Sequence, residues 1–253
     1  MARILTLALA LLTPALTMAE PARVGGAVLV LPQYEGASDY RVFAAPEFAF
    51  SLGQVRIESN GPGVQADLVP SRAFDAGPIL RYDFGRDPSN IDNAAVSALP
   101  QVDGSVEIGA FANLNFPVAK DTFLSPGVEL VQGLEGGHEG LTAELSLGVM
   151  RITDNWVLGG SAFATYADDS YMGAYFGVGA ASPSGLAAFS PGGGFKDVGL
   201  SAFAAYQLNQ NWSLVGFARV SELVGDAADS PIVTQTGNTT QALVGFGVSY
   251  TFN

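Results

Sequence analysis

Cysteine is absent from all 253 residues, and histidine occurs once. The first absence excludes a disulfide framework, a thiol nucleophile and any Cys-ligated metal. The second leaves zinc without its usual ligand sets. Charge is scarce as well: 14% of the residues are Asp, Glu, Lys or Arg, against roughly 25% in an ordinary soluble domain. What charge there is has mostly one sign, 24 acids to 11 bases and a net charge of −13. That balance excludes nucleic acid as a partner, because such binding needs clustered Lys and Arg. Long hydrophobic runs are missing too. Nothing in the chain reaches the roughly 20 apolar residues of a membrane-spanning helix, although its mean hydropathy is +0.28. An apolar chain without a spanning helix has one way into a membrane, which is to spread its apolar residues over the alternating strands of a closed barrel.

The N-terminus carries Arg3, an apolar stretch from Ile4 to Leu12, the breaker Pro14, and Thr17 and Ala19 at −3 and −1 before Glu20. A positive start, a short apolar segment and small residues at the cut predict a cleaved export signal over 1–19. The barrel domain then runs over 20–253. Export without cysteines is workable if barrel closure satisfies every strand edge.

Period-two alternation carries the fold reading. Ala242, Val244, Phe246, Val248, Tyr250 and Phe252 share one parity, with Gly245, Gly247, Ser249 and Thr251 on the other. The same split appears at Val106, Ile108, Ala110, Ala112, Leu114 and Phe116, and again over 141–151 and 198–208. One apolar face per strand suits a sandwich or a barrel. Length decides between them. Runs of about 12 residues, roughly 40 Å at about 3.3 Å each, are twice the usual strand of a soluble sheet and fit a tilted membrane crossing. The apolar faces also end in aromatics (Phe116, Trp156, Tyr166, Tyr206, Trp212, Tyr250, Phe252), as interfacial girdles do. Tight polar turns at 153–155, 209–211 and 117–121 alternate with longer loops at 133–140, 168–196 and 225–240.

These features predict an all-β, transmembrane, antiparallel up-and-down β-barrel of about twelve strands; ten to fourteen fit the same pattern. The strands fall at 24–31, 42–51, 54–60, 63–69, 78–85, 105–116, 122–132, 141–152, 156–167, 197–208, 212–224 and 241–252. An even count puts both termini in the periplasm. The weakest stretch is 54–78, and the 168–196 loop has room for a hairpin around Tyr171–Gly179.

Several segments, in order, resemble the MipA/OmpV family of outer-membrane proteins. They are Pro32-Gln33-Tyr34-Glu35-Gly36 with Ser38-Asp39-Tyr40, then Tyr175-Phe176-Gly177-Val178, then Gly194-Phe195-Lys196-Asp197-Val198-Gly199. The most specific is Leu223 to Val233, containing Asp226-Ala227-Ala228-Asp229-Ser230-Pro231, followed by the closing Gly247, Tyr250 and Phe252. The resemblance implies a non-enzymatic barrel in the outer membrane, surrounded by its lipid and inserted by the barrel-assembly machinery. It also implies a scaffold role between a lytic transglycosylase and a murein synthase. Other members of the family are linked to adhesion, osmotic response and antibiotic sensitivity. The motif residues it singles out for structure or interaction are Tyr34, Gly36, Asp226, Asp229, Ser230 and Pro231.

No catalytic residue, cofactor or metal is expected. His138, in Gly133-Leu134-Glu135-Gly136-Gly137-His138-Glu139-Gly140, would serve a barrel hydrolase as its base. The plainer reading is the solvated tip of a Gly-rich loop, because flanking glycines hold a catalytic group poorly. Asp226, Asp229 and Ser230 offer oxygens for Ca²⁺, but no Ca²⁺-loop pattern surrounds them; they read better as a strand terminator, with Pro231 stiffening the turn. Asp87, Asp92 and Asp103 read as solvated outer surface. Phe111, Phe163, Phe203 and Phe217 fall on the inward parity and would plug the lumen or line an apolar passage. Arg81, Asp83, Glu107, Glu129, Glu144 and Arg219 point inward too. Paired, they would seal the barrel; unpaired, they would line a narrow channel for small solutes.

Overall fold

The computed structural model describes residues 21–69 and 71–252; the leader expected over 1–19 lies outside the described residues. Thirteen strand segments make one sheet: β1 (Arg23–Pro32), β2 (Tyr40–Leu52), β3 (Val55–Asn60), β4 (Gly63–Asp67), β5 (Phe74–Asp83), β6 (Ser105–Leu114), β7 (Phe116–Ala119), β8 (Thr122–Gly133), β9 (Leu141–Ile152), β10 (Trp156–Ala167), β11 (Gly194–Gln207), β12 (Trp212–Leu223) and β13 (Thr240–Thr251). β6 and β7 are halves of one strand interrupted at Asn115, and both pair with β8. The barrel therefore has twelve antiparallel strands, as the alternation predicted. A seam between β1 and β13, from Arg23 opposite Thr251 to Val30 opposite Val244, joins the first strand to the last.

Because side chains alternate across a strand, the register sends every second residue to the outside. Those residues are apolar, and they stand uncovered: Leu200 is 66% and Phe246 60% exposed, with Val28, Leu145 and Val244 likewise. A belt of this extent on a soluble protein would be an aggregation surface; here it is the lipid face. Trp156 packs on Tyr206 with ring centroids 4.6 Å apart and Trp212 on Tyr250 at 5.0 Å, all at the end carrying the short turns. Tyr166 and Phe195 meet at the opposite end. Ten residues of β10 separate Trp156 from Tyr166, about 25 Å along the membrane normal for a strand tilted by about 40°. Replacing Leu200 by Arg at mid-belt is expected to cost about 2–4 kcal/mol, and Leu208→Arg at the turn-end rim about 0–1 kcal/mol. Urea unfolding from phospholipid vesicles measures both; equal losses would sink the assignment of the belt.

The two ends differ. Turn-end connections run over 53–54, 68–73, 120–121, 153–155 and 208–211, whereas the loop end carries 33–39, 84–104, 134–140, 168–193 and 224–239, and the two-residue turn at 61–62 belongs to the short β3–β4 hairpin. Those loops contain short helices: α1 (Ala94–Ser97), α2 (Asp169–Phe176), α3 (Gly225–Asp229) and α4 (Pro231–Thr234). The stretch around Tyr171–Gly179, where the loop had room for a hairpin, holds a helix instead. Asp168 decides it: its carboxylate accepts the amide of Tyr171 and caps α2, satisfying one of the orphan donors of the first turn. Asp226 to Pro231 likewise form two helical turns in place of a simple strand terminator. The weak stretch resolves into the short hairpin of β3 and β4, and β5 begins at Phe74 instead of the expected residue 78.

Candidate functional site

The inward parity of the barrel collects its charges into a layer below the loop end. Arg81 and Glu107 lie opposite each other in register. The guanidinium donates from Nε to Glu107 Oε2 at 2.6 Å and from Nη1 to Glu129 Oε1 at 2.9 Å. Asn60, near the tip of the β3–β4 hairpin, also donates to Glu129. Arg219 donates to Glu144 at 2.6 Å and lies 3.4 Å over the ring of Phe163. Lys196 reaches Glu35 and Asp197, both at 2.6 Å. Of the two outcomes open for the inward charges, Arg81, Glu107, Glu129, Glu144 and Arg219 are paired, whereas Asp83 accepts the hydroxyl of Tyr175. A cavity of about 540 Å³ remains among them, lined in part by Arg41, Arg81, Glu107, Glu144, Lys196 and Arg219. The inward phenylalanines divide by depth: Phe111, packed with Ile79 and Val131, and Phe163, beneath Arg219, are buried in the lumen, Phe217 is half-buried, and Phe203, nearer the turn end, is 43% exposed.

His138 overturns the expectation of a solvated loop tip, because its side chain is 0% exposed. The glycines around it make room for its burial. A Cβ on Gly133 would stand 2.5 Å from the imidazole, and one on Gly137 would stand 2.0 Å from Ser105 Oγ. Nε2 lies 3.0 Å from Glu107 Oε1 and 3.6 Å from Asp83, and the rings of Tyr171 and Tyr175 pack against the imidazole. Nδ1 accepts the backbone amide of Gly140 at 3.0 Å, so the ring proton sits on Nε2 and is donated to Glu107. Asp83, Glu107 and His138 are close enough to hold a cation. The histidine atom facing them carries that proton, though, and offers a metal no lone pair. For the same reason neither nitrogen is free to take a proton from a nucleophile. The geometry makes His138 a strut between the β8–β9 loop and the lumen layer.

The motif residues gather in a cap that the loops build over the mouth. Tyr34 and Ala37 pack with Val96, Leu99, Val178 and Ile232, and Met172, Tyr175, Phe176 and Val233 form an adjoining cluster. Gly36 sits at φ +89°, where a Cβ would be strained and would meet Val233 at 2.6 Å. Ser230 is fully buried; its hydroxyl donates to the carbonyl of Phe176 at 2.7 Å and accepts the amide of Ile232. Pro231 opens α4, where its missing N–H costs nothing. Asp226 accepts the amide of Gly192 at the edge of the cap, and Asp229 faces solvent. Tyr34, Gly36, Ser230 and Pro231 thus belong to one packed unit, with Asp226 on its rim and Asp229 outside it. Asp92 and Asp103 are exposed as expected.

Two residues of the cap, Arg86 and Tyr171, were given no role in the sequence, and Tyr175 stood there only as part of a family segment. Arg86 is buried, donating to the carbonyls of Tyr175 at 2.8 Å and Pro100 at 3.3 Å, and burial holds its guanidinium below the ordinary arginine value. Tyr171 and Tyr175 turn inward from α2, and burial pushes both phenols up; the Tyr175 hydroxyl donates to Asp83. A lone Arg in a loop carries no periodic signal. The capping Asp168 was the one readable sign of α2.

The family model described as MltA-interacting protein MipA matches residues 24–252. No curated protein matches the chain. Among solved structures, the NanC porin shares 10% identity at a TM-score of 0.49, covering 91% of this chain and 100% of that one. An outer-membrane channel from Pseudomonas putida F1 shares 11% at 0.46, covering 92% and 96%. The Ralstonia pickettii toluene transporter TbuX shares 10% at 0.42, covering 92% and 90%.

Proposed function

The chain belongs to the MltA-interacting protein MipA family, and from that membership we propose that this outer-membrane barrel is a docking post for a lytic transglycosylase of the MltA kind. The observation that carries the reading is the closed mouth. The loop end is occupied by a packed cap with its own apolar core, and the lumen beneath it is cross-braced by ion pairs. Such a barrel is a rigid body whose remaining free face is the ring of short turns. In this reading the turns face the periplasm and receive the transglycosylase, which brings a murein synthase to the same place.

The test is direct binding. Barrel in lipid nanodiscs should bind a purified MltA-type transglycosylase saturably. The exposed turn substitutions Asp154→Lys and Gln210→Lys together should weaken that binding at least tenfold. Absence of binding, or binding indifferent to the turns, removes the proposal. A second reading, a narrow solute channel, is favoured by the cavity and by the exposure of Phe203 toward the turn end. Discrete conductance steps from the unaltered protein in planar bilayers would select it over the docking post.

A further inference from the structure

One wall of the barrel is incomplete. β2 pairs with β1 along Tyr40 to Ala49, yet its ladder to β3 covers only Ala49 to Leu52. The hairpin of β3 and β4 turns back at Gly61-Pro62, well short of the loop end. On its other side it reaches high up β5, where Gly63 lies opposite Arg81 and the Tyr82 amide bonds the carbonyl of Pro62. Above the tip, β2 has no strand beside it among the described residues.

The open edge can be read atom by atom. The amide and carbonyl of Phe48 both meet Ser59 Oγ, so Phe48 faces the hairpin. Because successive residues alternate in direction, Tyr40, Val42, Ala44 and Pro46 face the same way, into the gap. Pro46 has no N–H to leave unmet, the usual device on an open edge. Tyr40, Val42 and Ala44 have both groups, and unmet backbone groups at membrane depth persist only where they border protein or a watered cavity. The cavity supplies that border. Its lining runs from Glu107 and Arg219 in the lumen to Gly61 and Pro62 at the hairpin tip, and on to Tyr82 and Phe84, whose side chains lie on the outward parity. Phe43, from the inward side of β2, meets Phe84 edge-on across the gap at 5.2 Å.

The head group is selected at one residue. Among the described residues, six carboxylates and four bases line the cavity; Arg81, Lys196 and Arg219 bind Glu107, Glu129, Glu35, Asp197 and Glu144, and Asp83 accepts the Tyr175 hydroxyl. Arg41 lines the same cavity beside the gap, and its buried Nε has no hydrogen-bond partner. The outer lip is apolar, with Val42 71% exposed and Tyr82 and Phe84 also uncovered. We infer that the gap between β2 and β5 is a lateral portal from the membrane into the lumen cavity, taking a single-chain amphiphile with an anionic head that pairs with Arg41. The chain lies against Val42, Tyr82 and Phe84, with the cap closing the alternative route through the mouth. The inference is independent of the docking post and stands or falls separately from it.

Laurate and the uncharged dodecanol are the probes, titrated against the barrel in nanodiscs. Laurate should bind saturably, Arg41→Ala should weaken it at least tenfold, and Arg41→Lys should retain most of it. Dodecanol should bind weakly and be indifferent to residue 41. The absence of native cysteine permits a clean second variant, Phe43→Cys with Phe84→Cys, joined by a short bis-methanethiosulfonate linker. Linking should abolish laurate binding and reduction should restore it, which separates closure from misfolding. The portal is overturned if laurate does not bind, if dodecanol binds as tightly, or if the linked barrel binds laurate as the open one does. Displacement of an extended peptide by the linker, without loss of laurate, would instead identify the edge as a strand-addition site.

Discussion

Arg81→Ala is expected to destabilise the barrel by about 3–5 kcal/mol, the usual cost of breaking a buried ion pair from one side. The size follows from what remains. Glu107 is 5% exposed, and without Arg81 its charge keeps only the proton donated by His138. Glu129 is 28% exposed and can recover water, so Glu129→Gln alone should cost about 0–1 kcal/mol. The double variant Arg81→Ala with Glu107→Gln should regain a large part of the single loss, because the stranded charge is gone. Urea unfolding from vesicles reads all three. A single-variant loss no greater than that of Glu129→Gln would show that the lumen layer is hydrated and braces nothing.

The second large effect falls on the cap alone. In Arg86→Ala the carbonyls of Tyr175 and Pro100 lose the guanidinium that joins the 168–193 and 84–104 loops. Each unmet buried group costs roughly 1–3 kcal/mol, enough to open a unit held by a small core. Limited proteolysis should then cut both loops at least tenfold faster than in the unaltered protein, with the barrel's unfolding midpoint within error of its original value. Bilayer conductance should rise in step as the mouth opens. Loops that resist protease as before would show that the apolar clusters around Met172 and Ile232 hold the cap without Arg86.

The barrel was legible in the chain because lipid enforces a strict rule on one parity. Leu145, Leu147 and Val149, or Val244, Phe246 and Val248, repeat every second residue since each must face hydrocarbon. The cap obeys no such period. Its core joins Tyr34, Val96, Val178 and Ile232 from four separate loops, so no local window reveals it. His138 misled for a related reason: glycines around it read as slack, when they are the space its ring occupies. The early hairpin was hard to bound because β3 and β4 are too short to show alternation. The portal follows from that same shortness, and only the register of both neighbours exposes it.

The seam between β1 and β13 sets the order of events in assembly. Arg23 cannot meet Thr251 until the last strand has been delivered, so the contacts that join the two ends of the sheet are among the longest in sequence that the described residues make. Contacts of that span form late and slowly. Until they do, β1 and β12 each present an unpaired row of amides and carbonyls that hydrocarbon will not accept. A chain cut before Thr240 should therefore fail to insert at all; it should not yield a smaller barrel. Its first strand waits, throughout biogenesis, for its last.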